Sequence, residues 1–220
     1  MIYVIDSHNR AGFHAQIEEM FRIRHDIYVG RRGWKALEKP DGRDVDQFDM
    51  DKTVYLLGVD DDGRVIAGLR LNPTTGPHLI RDVFPHAVAD QPIPIDERIY
   101  EFTRWFVVKE RVSPEENRRV AGELLVAMLE YGKSINLTHI TLCCDSFFWK
   151  TMQEMRWDVR RLGPITRYPE GKCIAVQFDV SDRMIANTRD VREVTGPVLL
   201  YAAAPLVRQM EANSPFKLAA

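Results

Sequence analysis

Between positions 99 and 108 the chain reads Ile-Tyr-Glu-Phe-Thr-Arg-Trp-Phe-Val-Val, a run too apolar for a solvated surface that still carries a carboxylate and a guanidinium. A charge buried without a partner is strongly destabilising, so a fold that uses this run as an interior strand must bring polar partners to Glu101 and Arg104. Strand alternation predicts Glu101 and Thr103 on one sheet face, with Phe102, Arg104 and Phe106 on the other. Further polar and aromatic residues recur upstream in a spacing that packing does not require: Arg24, Tyr28, Trp34, Asp46, Asp49 and Arg70. Arginines suit carboxylates, aromatic faces suit cations and paired aspartates suit an ammonium. Such a set can grip a small zwitterion that also carries a positive charge, and a sulfonium amino acid fits.

Residues 2 to 6 read as a strand, and Phe13, Ile17, Met20, Phe21, Arg24 and Tyr28 recur at helical spacing. From Gly30 to Lys52 the pattern is irregular, and loops of that length inside a compact domain are usually functional or disordered. Val54 to Val59 and Arg64 to Leu71 read as a hairpin turning at Asp60-Asp61-Asp62-Gly63. Ser113-Pro114-Glu115-Glu116 is a helix start with a capping box and proline at the first helical position. A strand at 139–144, a helix at 146–155, strands near 157–162 and 173–178, and helical residues from Asp182 onward complete an α/β alternation.

At 220 residues, with no linker or internal repeat, the chain reads as one domain. A formal net charge of -2 argues against general nucleic-acid affinity. The second half is locally basic through Arg118, Arg119, Lys133, Lys150, Arg156, Arg160, Arg161, Arg167 and Lys172, which suits either plain solvation or an acidic carrier or phosphate-bearing donor. Cys143, Cys144 and Cys173 lack metal-ligand spacing and read as reduced core residues, so no metal is expected. The start carries no basic leader and no run nears the length of a membrane helix, which makes a soluble cytoplasmic protein the expectation.

The element order resembles the acyltransferase fold typified by the GCN5-related N-acetyltransferases. That likeness implies a single-domain, three-layer αβα architecture with a mixed, largely antiparallel twisted sheet and a cleft for a pantetheine-bearing donor. The usual phosphate loop of such folds corresponds here to Arg118-Arg119-Val120-Ala121-Gly122-Glu123, which keeps the arginines and one glycine; a capped basic helix is the competing reading.

Arg24, Tyr28, Trp34, the Asp46/Asp49 pair, Arg70, Phe84 and Glu101-Phe102-Thr103-Arg104, in this order and spacing, resemble the LuxI-type acyl-homoserine-lactone synthases of bacterial quorum sensing. The resemblance implies acylation of the amine of S-adenosylmethionine by an acyl thioester, on acyl carrier protein or coenzyme A. The carboxylate oxygen then attacks the carbon next to sulfur, closing the lactone and releasing methylthioadenosine. S-adenosylmethionine is consumed as a substrate, so no cofactor is implied. By resemblance the catalytic set is Glu101, Arg104, Asp46 and Asp49, and the S-adenosylmethionine site is Arg24, Tyr28, Trp34, Asp49, Arg70, Phe102 and Arg104. The acyl pocket is expected from Phe84, Thr141, Cys143, Phe147, Phe148, Trp149 and Met152, and the bulky 147–149 run suggests a short, branched or aromatic acyl group. Residues 1–52 would form the S-adenosylmethionine-binding part, 53–180 the sheet core and acyl pocket, and 181–220 a helical extension of a monomer or weak dimer.

The chemistry runs in parallel. The amine must be neutral when it meets the thioester, so a carboxylate must take its proton directly or through water, and Glu101 is the candidate. Its alternative role is an ion pair with Arg104, and its pKa is either lowered by that cation or raised by burial. Arg24 and Arg104 either orient carboxylates of the substrate or, for Arg24, tie to Asp46 or Asp49. The chain departs from its relatives at Leu142-Cys143-Cys144, where members making 3-oxo products tend to carry threonine, and at Glu154-Met155-Arg156-Trp157, where the usual segment is Arg-x-Gly-Trp. Two alternatives stand beside this reading: an N-acyltransferase acting on another amine, and a non-catalytic sensor of acyl thioesters or nucleosides.

Overall fold

The computed structural model describes residues 1–201. Strand β1 (Ile2–Ile5) leads to helix α1 (His14–His25), whose Ile17, Met20 and Phe21 pack against the sheet together with Phe13. The helix continues as a π-helical turn, Asp26–Arg31, which holds Tyr28 buried. An irregular stretch follows, broken only by a single 3-10 turn at Lys35–Leu37. Strands β2 (Val54–Val59) and β3 (Val65–Pro73) form the expected hairpin, its turn closed by Asp60 accepting from the backbone of Asp62 and Arg64. The chain then makes the short helix α2 (Leu79–Asp82), strand β4 (Ile99–Val107), helix α3 (Pro114–Ser134), strand β5 (His139–Cys144) and helix α4 (Ser146–Glu154). Strands β6 (Val159–Arg161), β7 (Thr166–Tyr168) and β8 (Gly171–Asp179), helix α5 (Asp182–Arg192) and strand β9 (Leu199–Leu200) complete the described part.

The sheet order is β6-β8-β5-β4-β3-β2-β1-β9, with β7 paired to β8. Neighbours are antiparallel except β4 with β5 and β1 with β9. Helices α3, α4 and α5 cover one face through Leu124, Met128, Phe148, Met152 and Met184. Helix α1 covers the other face over β1–β3, and Ile80 and Ala87 pack there against Leu162 and Ala175. This is the expected αβα layering. Because β1 pairs with β2, residues 1–52 share the sheet of the central region. Residues 181–201 are not all helical: β9 adds a parallel strand beside β1, and the rest of the expected helical extension, 202–220, lies outside the described residues. Among the described residues no helix is long and apolar enough to cross a membrane.

Two irregularities of β4 shape the centre of the molecule. Its parallel pairing with β5 covers only Ile99, Tyr100 and Glu101 against His139, Ile140 and Thr141, so the two strands part beyond Glu101 and open a wedge. On its other side the register with β3 shifts between Gly68 and Arg70, giving β4 one extra residue, and Arg104 takes φ 55°. A bulge of this kind re-aims side chains by breaking the period of two. It also brings Phe106 opposite Gly68, where a Cβ would lie 2.8 Å from the Phe106 ring, so the close approach requires glycine.

Helix α3 carries the predicted capping box, with Ser113 accepting from the Glu116 backbone N–H and Glu116 reaching back to that of Ser113. The suggested phosphate loop is not formed. Arg118 to Gly122 lie inside α3, and a Cβ on Gly122 would meet Arg192 at 2.8 Å, so this glycine serves helix packing. The competing reading, a capped helix, is the one observed.

Candidate active site

The face of the sheet that bears Arg70 is where the upstream polar residues meet. Arg24, in the last turn of α1, donates from Nε to Asp44 at 3.0 Å and from Nη1 and Nη2 to Asp49 at 2.9 and 3.1 Å. Arg70 donates to both oxygens of Asp46 at 2.6 and 3.2 Å, and its Nη1 lies 3.0 Å from Asp49. Its Nε donates to the Thr103 hydroxyl at 2.9 Å. Arg104 donates to Asp44 at 2.6 and 3.1 Å and to Asp46 at 3.0 Å. Three guanidinium ions therefore share three carboxylates, with Tyr55 adding a hydroxyl donor to Asp49 at 2.9 Å.

Burial sets the electrostatics of this network. Desolvation alone would raise Asp44, yet Arg24 and Arg104 hold it down at about 2. Asp49 is likewise held well below the carboxylate range, against burial, by Arg70 and Arg24. Burial disfavours the Arg24 cation, but Asp49 and Asp44 more than compensate and keep it above its ordinary value. Asp44, Asp49 and Arg24 are thus ionised throughout the physiological range, and a mesh of bidentate bonds gives the network a rigid shape. Of its carboxylates Asp46 is the most open, at 12% against 2% for Asp44 and Asp49. Among the two roles open to Arg24, the tie to aspartate is the observed one, with Asp44 and Asp49 as partners.

The expected alternation along β4 fails at the bulge. Arg104 lies with Glu101 and Thr103 rather than with Phe102, because the extra residue moves it onto the face where Asp44 and Asp46 wait. Phe106 follows it to that face and joins the cluster under α1, while Trp105 turns to the α4 side.

Glu101 is fully buried, and no ion pair with Arg104 forms among the described residues. Its oxygens accept instead from the backbone N–H groups of Leu79 at 2.6 Å and Ile80 at 2.7 Å, at the start of α2. Desolvation raises its pKa to about 7, with those two N–H groups pulling back towards the ionised form. A carboxylate so poised can exchange a proton near neutral pH.

An aromatic wall stands beside the ionic network. Trp34 stacks on Tyr28 at 5.0 Å, and the Arg104 guanidinium lies 5.1 Å from the Tyr28 ring on the network side. Trp34 also meets Tyr168 edge-on at 6.5 Å, and Tyr168 meets Phe84 at 5.7 Å. With the Arg32–Asp145 pair at 3.7 Å, these contacts join the N-terminal segment to elements beyond β5, on the far side of the wedge.

The expected acyl-pocket residues divide. Phe148 and Met152 pack on the α4 side of the sheet with Phe102, 5.6 Å from Phe148, and with Trp105, 5.8 Å from it. Trp149 lies at the edge of that cluster under the Arg161 guanidinium. Thr141 and Cys143 point to the opposite face, the latter packing near Phe84 and Ile80. Phe147 is 72% exposed and lines no interior, because helix α4 turns position 147 outward when it turns Phe148 in. The cysteines are free, as expected, though Cys143 is only half-buried.

Asp44, Tyr55, Tyr168 and Trp105 escaped the sequence reading. The run Asp44-x-Asp46-x-x-Asp49 held a signal for Asp44, since an acidic loop opposite three apolar-flanked arginines invites a third pair. The backbone donors of Leu79 and Ile80 left none, because main-chain groups have no sequence signature.

Comparison with known proteins gives this geometry its setting. A family profile described as autoinducer synthase matches residues 8–187. The chain belongs to the autoinducer synthase family. It is accordingly an acyltransferase, an acyl-homoserine-lactone synthase. The synthase is 36% identical over 163 residues to the isovaleryl-homoserine lactone synthase of Bradyrhizobium diazoefficiens, covering 74% of this chain and 72% of that one. It is 28% identical over 188 residues to an acyl-homoserine-lactone synthase of Agrobacterium fabrum, covering 82% and 84%. Among solved structures, the CoA-dependent acyl-homoserine lactone synthase BjaI, with SAM and isopentyl-CoA, superposes with a TM-score of 0.84 at 30% identity, covering 94% of this synthase and 95% of BjaI. An N-acetyltransferase from Lactobacillus plantarum, described as putative, matches at a TM-score of 0.51 and 18% identity over 82% of this chain and 99% of its own, which shows the shared acyltransferase fold alone.

Proposed function

We propose that this synthase joins S-adenosylmethionine to a short, branched acyl group delivered as a coenzyme A thioester, in the cytoplasm, as a monomer or weak dimer. The observation that carries the reading is the wedge between β4 and β5, which has an ionic and aromatic wall on one side and an apolar aromatic one on the other. Trp34 and Tyr28 cover the sulfonium or the adenine, Asp46 takes the ammonium, and Arg104, held by Asp44, orients the substrate carboxylate. Arg24, Asp49 and Arg70 act behind them by keeping Arg104 and Asp46 in place.

In the first step Glu101 accepts a proton from the ammonium, directly or through water. The freed amine attacks the thioester carbon, the carbon–sulfur bond breaks and the thiol leaves with a proton. In the second step the carboxylate oxygen displaces methylthioadenosine from the carbon next to the sulfonium, closing the ring. Phe148, packed against both Phe102 and Trp105, supports a small acyl group, as does the likeness to an isovaleryl-homoserine lactone synthase and to a synthase whose structure holds isopentyl-CoA.

The test is to mix the protein with S-adenosylmethionine and a panel of acyl-CoA and acyl-carrier-protein thioesters, then read the products by mass spectrometry. A homoserine lactone with a branched acyl group of about the size of isovalerate, released with equimolar methylthioadenosine, is expected. Acylated product without methylthioadenosine would point to another amine acceptor, and a product dominated by long straight chains would overturn the acyl assignment.

A further inference from the structure

We infer that the indole N–H of Trp105 donates a hydrogen bond to the carbonyl oxygen of the acyl thioester and takes up part of its negative charge during acyl transfer. This rests on the reading of the wedge given above. Among the described residues, Trp105 Nε1 is buried and has no hydrogen-bond partner. Buried indole N–H groups usually find an acceptor, and an orphan in a reaction cleft calls for one from the ligand.

Trp105 is placed where such an acceptor would come. It follows the bulge residue Arg104 on the stretch of β4 that has left β5. Its ring packs on Phe148, in the aromatic cluster that bounds the proposed acyl site, and its own carbonyl accepts the Tyr28 hydroxyl at 2.9 Å. Tyr28 in turn stacks on Trp34. The same residue therefore touches the acyl wall with its side chain and the sulfonium wall with its backbone, which is where amine and thioester must meet. When the amine lone pair adds to the thioester carbon, the carbonyl π electrons move to oxygen, and a positioned donor stabilises that oxyanion until the carbon–sulfur bond breaks and the double bond returns. The thiol leaves carrying the proton balance; no other reactant is needed.

Trp105→Phe keeps a ring against Phe148 and removes only the donor. Two measurements test the contact on the full chain: lactone formation with isovaleryl-CoA, and the infrared carbonyl stretch of isovaleryl-CoA labelled with carbon-13 at the thioester carbon and bound without S-adenosylmethionine. The variant is expected to lose about 100-fold in kcat with S-adenosylmethionine affinity by calorimetry unchanged, a loss typical of one oxyanion donor. The wild-type carbonyl stretch should lie at lower frequency than that of the variant. Equal kcat, or identical stretches in the two proteins, would overturn the inference. A wild-type protein that binds the thioester and makes no lactone would instead sink the proposed reaction, while the stretch would still decide whether the contact exists.

Discussion

Arg104 and Asp44, 60 residues apart in sequence, are joined by two hydrogen bonds of 2.6 and 3.1 Å, while Asp44 also takes Arg24 at 3.0 Å. One loop carboxylate thus ties the bulge of β4 to the last turn of α1. Asp44 is the joint on which the orientation of Arg104 depends.

Asp44→Asn should destabilise the protein by about 3–5 kcal/mol in denaturant unfolding, because it leaves two buried guanidinium ions short of a counter-charge. Asp190→Asn, which breaks the exposed pair with Arg156 at 3.2 Å, should cost less than about 1 kcal/mol. The pH dependence has a definite sign. Asp44 is depressed to about 2 from an ordinary 3.8, so its stabilisation is complete above the ordinary value and fades as pH falls towards 2. Wild type and Asp44→Asn should therefore converge in stability at the acid end.

Glu101 has the opposite sign. Its pKa rises from 4.5 to about 7, so between those values the folded protein holds a proton that the unfolded chain has lost. That contribution is full below 4.5 and is lost as pH climbs through 7, a difference on the order of 3 kcal/mol. Glu101→Gln should flatten this slope between pH 5 and 7. It should also lower turnover at least about 100-fold, as loss of a general base does, while binding S-adenosylmethionine nearly as well as wild type. Undiminished turnover would remove the base assignment. In the wild type, kcat/KM is expected to rise with pH and level off above about 7.

Phe148 packs its ring against both Phe102 and Trp105, at 5.6 and 5.8 Å between centroids. Phe148→Leu should shift the product profile towards longer acyl groups, at a stability cost of about 1–2 kcal/mol from imperfect repacking. An unchanged profile by mass spectrometry would place the acyl group elsewhere.

Arg156 stands at φ 56° just past helix α4, in the left-handed conformation that glycine adopts without strain. Among the described residues its side chain makes only the exposed pair with Asp190. Arg156→Gly should raise stability by about 0.5–1 kcal/mol in thermal unfolding. The departure from Arg-x-Gly-Trp is thus a backbone penalty, and a destabilised glycine variant would show that the arginine does more.

Periodicity and capping were enough to read β1, α1, the β2–β3 hairpin, β4, α3, β5 and α4, because each is stabilised by a pattern local to its own residues. Arg24, Asp46, Asp49, Arg70 and Arg104 were also legible as a group, since charges inside apolar runs must be paired. Their exact partners were not: the sequence could not say that Arg104 would choose Asp44 and Asp46 over Glu101. One inserted residue in β4, at φ 55°, decided that by reversing the face on which everything after Thr103 falls.

The order of residues alone determined that this chain would be a mixed α/β acyltransferase with an ionic and aromatic cluster near its centre. Tertiary structure alone decided which ions meet, that Glu101 would be capped by two main-chain N–H groups, and that Phe147 would face solvent while Phe148 packs inward against Phe102 and Trp105. The reason is physical: secondary structure follows from the spacing of neighbours, but bulges, splayed strands and main-chain donors arise only when distant segments compete for the same space.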